Sequence, residues 1–387
     1  VRMRLGLVTV LAVLAALLPA AATARTWEVP RSATITVVGH GYGHGHGMSQ
    51  WGAEGAARQG RTHRQILRFY YPGLSQGRAG GTLRVKVADT AAAVVTARPG
   101  LVVRKPGGGK AWKLDRKRPR ATAWRVRPVA GDRSRVSYRV DGRWQRLGHR
   151  AGTAELAAGG KPLRVRTGPG STTRYRGAVR AVGGDVVNVV GLEDYLRGVV
   201  PSEVIASTWH QQAIRAQAVA ARTYAAYERN HPAAAHYDIC GTEACQVYGG
   251  TAAEHPAADK AVAATRGRVL TKGGKPAFTQ FSASSGGWTS RGAFGYLPAK
   301  KDPYDGWSGN PHHRWTVRLT DADLERAWPA VGGLTSIRVS GRDGNGQWGG
   351  RVGSVTLRGT RGTVTVTGDD FRYLLGLRST WFTLRVS

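Results

Sequence analysis

From Leu83 to Val165 the chain keeps returning to one pattern, in which apolar residues alternate with polar or charged ones: Leu83-Arg84-Val85-Lys86-Val87, Trp124-Arg125-Val126-Arg127, Val136-Ser137-Tyr138-Arg139-Val140 and Leu163-Arg164-Val165. A period of two sends successive side chains to opposite faces of a strand, so each segment buries one face and wets the other. Gly, Pro and Asp clusters separate the segments and read as turns. The region is therefore a set of half-buried antiparallel strands with arginine on the solvent side.

The flanks are mixed. Residues 34–38 read as a strand that runs into Gly39-His40-Gly41-Tyr42-Gly43-His44-Gly45-His46-Gly47, and helical spacing follows over 48–59 and 63–69. Residues 185–190 form a more apolar strand. The spacing predicts a long helix over 209–228, with Ser207 or Thr208 as its cap and with Ala213, Ala216, Ala220 and Ala221 allowing close backbone packing. Short elements follow at 259–266, 336–339, 352–357, 363–366 and 371–375. The expected fold class is α+β, with antiparallel β-rich sheets around a central Ala-rich helix. The expected organisation is a signal peptide over 1–24, a Gly/His-rich strand and helices over 25–75, a β-rich basic region over 80–180, a core over 185–290 and an α+β part of the same module over 291–387.

Arg2 and Arg4, an apolar run to Pro19 and Ala20-Ala21-Ala22-Thr23-Ala24 follow the order of a secretory signal, with cleavage expected after Ala24. No other apolar run approaches the roughly 20 residues a membrane span needs, so no stable span is expected after cleavage. With 57 Lys plus Arg against 24 Asp plus Glu, the formal net charge is +33. Such a charge concentrates polyanions around the protein. An exported cation without helix-turn-helix, zinc-finger or RNA-binding signatures points to anionic cell-wall polymers rather than nucleic acid.

Several residues could carry chemistry. Glu203 follows Val199-Val200-Pro201-Ser202 and precedes Val204-Ile205, and burial against such a wall would keep its proton on, as a general acid requires. A turn carboxylate that satisfies backbone amides is the plainer reading, and Glu193 and Asp194 are read as structural. Gln217 and Tyr224 are two helical turns apart and share a face, whereas Arg222 points elsewhere; substrate contact and an internal network are both open. His236, Cys240 and Cys245 could hold zinc, with Asp238 orienting His236, yet the only two cysteines of an exported chain most simply form a disulfide. Alternation in an extended strand would set His40, Tyr42, His44 and His46 on one face against a sugar. Ser284, Ser285 and the following Gly286-Gly287 could line a groove, and no Gly-x-Ser-x-Gly elbow surrounds these serines.

Leu192-Glu193-Asp194-Tyr195-Leu196-Arg197-Gly198-Val199-Val200-Pro201-Ser202-Glu203, Ala216-Gln217-Ala218-Val219-Ala220-Ala221-Arg222-Thr223-Tyr224, Cys245-Gln246-Val247-Tyr248-Gly249-Gly250 and Ser284-Ser285-Gly286-Gly287 resemble the sporulation stage II protein D / amidase enhancer LytB family of bacterial cell-wall proteins. The resemblance implies a peptidoglycan lytic transglycosylase, with Glu203 as acid and then base and a 1,6-anhydro-muramyl product. One carboxyl suffices for that route, because the sugar's own hydroxyl is the nucleophile. It implies a zinc site at His236, Cys240 and Cys245. Read from the residues themselves, Gln217, Arg222 and Tyr224 are candidate groove or support residues, and Ser284, Ser285, His44 and His46 are further candidate substrate contacts. The alternative is a non-catalytic wall-binding protein that enhances an N-acetylmuramoyl-L-alanine amidase, so glycan strands and a cell-wall amidase are the expected partners. In many relatives the glycine-histidine phrase and Met48-Ser49-Gln50-Trp51-Gly52 close the chain; here they come first. Residues 38–52 should then fold back beside the C-terminal strand.

Overall fold

The computed structural model describes residues 24–387, so the expected signal segment lies outside the described residues apart from Ala24. The fold is mixed α+β with mostly antiparallel sheets. Eight α-helices occur among the described residues: α1 (Gln50–Arg58), α2 (His63–Tyr70), α3 (Leu114–Lys117), α4 (Leu192–Glu203), α5 (Gln211–Asn230), α6 (Pro256–Ala264), α7 (Asp321–Ala327) and α8 (Gly368–Leu374). The chain divides into two compact units, one comprising the residues up to Gly39 with Thr316–Ser387, the other His40–Trp315.

In the first unit the strands Arg25–Glu28, Leu334–Ser340, Ser354–Gly359 and Thr363–Thr367 form an antiparallel sheet. The strand Thr34–His40 runs antiparallel to Phe382–Val386, with Val38 opposite Thr383 and Gly39 opposite Phe382. Of the segment 38–52 expected beside the C-terminal strand, residues 38 and 39 pair with it, whereas residues 40–52 belong to the other unit. Ile35, Val37, Ile337, Val339, Val355, Leu357 and Phe371 are buried in this unit.

The second unit contains the alternating strands. Arg143–Ala151, Arg133–Val140, Ala123–Val129, Ala93–Thr96, Leu163–Gly168 and Ser171–Tyr175 lie in that spatial order in a six-stranded antiparallel sheet. Trp124, Val126, Val136, Leu163 and Val165 are buried, while Arg127, Arg164 and Arg166 on intervening positions are exposed. A seven-stranded sheet runs Ile239–Cys240, Thr82–Ala88, Asp185–Gly191, Ala178–Val182, Glu155–Ala157, Val102–Lys105 and Gly108–Lys113, with the first pair parallel.

Helix α5 begins two residues later than the spacing predicts, and its cap is His210, whose ring accepts from the Gln212 amide, rather than Ser207 or Thr208. Buried Ala213, Ala216, Ala218, Ala220, Ala221 and Ala225 let it lie against α1, α2, α4, α6 and the strand Arg268–Lys272. The glycine-histidine phrase is not an extended strand. Gly41, Gly43, Gly45 and Gly47 all take positive φ, so the chain winds and the simple alternation of side chains is lost. A Cβ on Gly41 would lie 2.7 Å from the Ser284 carbonyl oxygen, and one on Gly47 would strike the Gln280 carbonyl, so glycine is what permits this loop to press onto residues 280–286. Among the described residues no helix is long and apolar enough to cross a membrane.

Candidate functional site

Pro201 lies inside α4, and Glu203 is the last residue before Val204 turns extended. The helix end aims the Glu203 carboxyl at two donors. The Val247 amide gives a hydrogen bond to Oε1 at 3.1 Å, and Gln50 Nε2 gives one to Oε2 at 3.1 Å. Burial raises the affinity of Glu203 for its proton, and the two hydrogen bonds oppose that by favouring the charged acceptor. Gln50 is itself buried at the start of α1, placed by Ser49, whose hydroxyl caps that helix by accepting from the Gly52 amide.

Beside Gln50 stands an aromatic strip. The Trp51 ring centroid is 5.0 Å from Trp209, 5.7 Å from Trp307 and 5.9 Å from His312, and His312 is 5.1 Å from Tyr42. Trp51, Trp307 and His312 are half-buried, and Tyr42 is exposed. His44 and His46 stack on one another at 4.9 Å. Aromatic faces with polar edges next to a carboxyl suit a ring-shaped polyhydroxylated ligand, whose C–H faces stack while its hydroxyls donate.

Under the strip lies a buried acidic network. Asp305 accepts from Ser49 Oγ at 2.7 Å and from Ser284 Oγ at 2.9 Å, and it pairs with His313 Nδ1 at 2.8 Å. Burial pushes the Asp305 carboxyl up, but the hydrogen bonds from His313, Ser49 and Ser284 outweigh it and hold the group below its ordinary value. Asp302 accepts from Ser285 Oγ and Tyr70 Oη, at 2.8 and 2.9 Å. Its burial beside the Asp305 charge pushes it up to about 6. Ser284 and Ser285 are fully enclosed and tie residues 282–287 to these two carboxylates.

The remaining expected residues sit on the α5 side. Arg222 is wholly buried and grips Glu193 with two parallel hydrogen bonds of 2.9 and 2.8 Å, while its NH1 reaches the Arg268 carbonyl. Tyr224 packs on Phe278 at 5.2 Å. Gln217 is 1% exposed, and neither of its amide atoms has a hydrogen-bond partner among the described residues.

The zinc expectation is corrected. Cys240 and Cys245 are joined in a disulfide, which consumes both thiolates the site would need. His236 turns its Nε2 to Asp185 at 2.8 Å, and Asp238, expected to orient His236, is held by Arg84 instead. Among the described residues no grouping of three or more His, Cys, Asp or Glu is arranged to hold a metal ion. The residues present do not fit the metal.

The fold and this site define an α+β protein in which a helix-end carboxyl meets an aromatic strip carried by a second helix start. Residues 181–271 match the family model described as SpoIID: Stage II sporulation protein, and the chain matches homologues of the stage II sporulation protein D and amidase-enhancer family. It is 34% identical over 162 residues to the amidase enhancer of Bacillus subtilis (strain 168), covering 38% of this chain and 21% of that protein. It is 28% identical over 241 residues to the stage II sporulation protein D of the same organism, covering 56% and 66%. An uncharacterized protein of Brachyspira hyodysenteriae (strain ATCC 49526 / WA1) is 40% identical over 105 residues, 27% of this chain and 28% of that one. The chain thus spans less than a third of two of these relatives and about two thirds of the other.

These matches overturn the expected lytic transglycosylase. A relative named for enhancing an amidase stands where an enzyme was expected. The alternative reading fits better. Gln50, Trp51, Trp209, Trp307, His312 and Asp305 were not singled out as site residues from the sequence. Only the phrase Met48-Ser49-Gln50-Trp51-Gly52 carried a signal that could have found the first two.

Proposed function

We propose that the protein is a non-catalytic cell-wall-binding module that holds peptidoglycan glycan strands and enhances a separate N-acetylmuramoyl-L-alanine amidase. It works outside the cell, in the wall. The observation that carries the reading is the adjacency of the Glu203 carboxylate, fixed by Gln50 and Val247, to the strip of Trp51, Trp209, Trp307 and His312. The name of the Bacillus subtilis relative supports it.

In this reading Glu203 accepts sugar hydroxyls, the strip stacks on pyranose faces, and Tyr42, His44 and His46 extend the contact along the strand. Ser284 and Ser285 brace the strip from beneath through Asp305 and Asp302. Helix α5 is the central Ala-rich support, with Gln217, Arg222 and Tyr224 holding the elements that present the carboxyl. A glycan strand held in register presents its lactyl-peptide bond to a second protein, which lowers the entropic cost of that enzyme's encounter.

The test combines binding and stimulation. Purified protein should co-sediment with peptide-stripped glycan strands and raise the rate at which a purified wall amidase releases peptides from sacculi. Glu203→Gln and Trp51→Ala should each weaken both effects. Anhydro-muramyl ends appearing with the protein alone, or stimulation without glycan binding, overturns the proposal.

A further inference from the structure

One face of the six-stranded sheet carries arginines that no ion pair among the described residues engages. Strand register sets Arg135 directly opposite Arg127 on one side and opposite His149 on the other, and Ser137 lies between Arg125 and Arg146. Like charges facing across strands weaken a sheet. Burial and the nearby Arg127, Arg135 and Arg166 charges loosen the proton on Arg125. Burial with Arg133, Arg135 and Arg146 does the same to His149.

Nothing on the sheet neutralises these groups. None of its six strands contains Asp or Glu. The ion pairs formed among the described residues engage other arginines and lysines, and none involves Arg125, Arg127, Arg135, Arg146 or Arg166. The Nε atoms of Arg125 and Arg135 are sheltered from solvent without a hydrogen-bond partner. Arg125 lies 4.3 Å over the Trp144 ring, which lays its guanidinium along the sheet surface.

We propose that this face docks a linear phosphodiester polymer of the cell wall. Neighbouring strands are about 4.8 Å apart and same-face residues along a strand about 7 Å apart, so the guanidiniums form a grid on which successive phosphates of an extended chain can each find a planar fork. A bound polyanion would relieve the cross-strand repulsion, which gives the unfavourable pairs a use. The proposal rests on the wall-binding reading for the source of the polymer, but it uses a surface and residues separate from the Glu203 strip.

The experiment measures binding of the full chain to intact sacculi, to sacculi stripped of phosphodiester polymer with hydrofluoric acid, to soluble poly(glycerol phosphate) and to duplex DNA across a salt series. Wild type should prefer intact over stripped sacculi by about tenfold at low salt and should bind the soluble polymer. R125Q/R127Q/R135Q should lose that preference while keeping its affinity for stripped sacculi, and its plot of log affinity against log salt should be shallower by about two. R338Q/R358Q/R385Q, which removes equal charge elsewhere, should keep the preference. Should the first triple fail to fold, the exposed pair R127Q/R146Q serves, with a loss of about threefold. A preference that survives these changes, an equal loss in the control triple, or tighter binding to duplex DNA than to the polymer overturns the proposal. Loss of wild-type binding to stripped sacculi alone overturns the glycan reading and leaves the polymer result standing.

Discussion

At residue scale Glu203 answers to two opposing influences. Burial favours its protonated form, while the Val247 amide and Gln50 Nε2 favour the charged acceptor, and burial prevails. A carboxyl whose folded-state value lies above its unfolded one binds its proton more tightly in the fold, so its stabilising effect is complete in acid and is lost as pH rises through the folded value. Glu203→Gln should therefore melt no lower than wild type at neutral pH, by calorimetry, even as glycan binding weakens. A lower melting point would show that the charge, and not the ligand, is what Glu203 serves. Arg222 is the contrasting case. It is wholly buried against Glu193, and removing one member of such a pair strands the other's charge. Arg222→Ala should cost about 3 kcal/mol in urea unfolding, and Arg222→Lys should recover little because an ammonium cannot make the two parallel bonds. The sequence showed both residues but not their partner, because Glu193 and Arg222 lie on different helices and no local period relates them.

Among the elements, the segments 48–52, 282–287 and 302–313 are tied together by the Asp302 and Asp305 carboxylates. Asp302, pushed up to about 6 from the ordinary 3.8, makes that junction pH-dependent. Its contribution to stability should fall as pH rises from about 4 to about 6, and Asp302→Asn should remove that slope from a melting-temperature profile. An unchanged profile would mean that Asp305 and its hydrogen bonds carry the junction alone. The disulfide between Cys240 and Cys245 closes a short loop, so reduction should cost about 2 kcal/mol, while chelators should leave the melting temperature unchanged. A chelator-sensitive melt would restore the metal. The strands were legible because a half-buried strand writes its period into the chain, and Thr82–Ala88, Ala123–Val129 and Arg133–Val140 enclose the alternating segments seen in sequence. The glycine-histidine phrase was misread for the same reason: hydropathy alternation records side chains, not φ, and four positive-φ glycines turn the chain without altering the pattern. The cysteine pair is ambiguous in sequence because two cysteines five positions apart suit a disulfide and a zinc site alike.

For the molecule as a whole, the issue is whether it acts by turnover or by occupancy. In the proposed reading the net charge of +33 and the carboxyl-aromatic site both serve residence on the wall. A protein that works by occupancy obeys mass action. The amidase rate should rise with the amount of protein bound to sacculi and level off once wall sites are filled, whatever the time of pre-incubation. A catalyst behaves differently, since a small amount given longer would do the work of a large amount given briefly. Sacculi pre-incubated with the protein for minutes or for hours, then washed until no protein remains, should be equally poor substrates for the amidase, because an effect of occupancy leaves with the occupant. Measuring dye release by the amidase after such a wash distinguishes the two. Persistent, time-dependent stimulation after complete removal would mean that covalent bonds in the wall had been cut, and the occupancy account would fall with it.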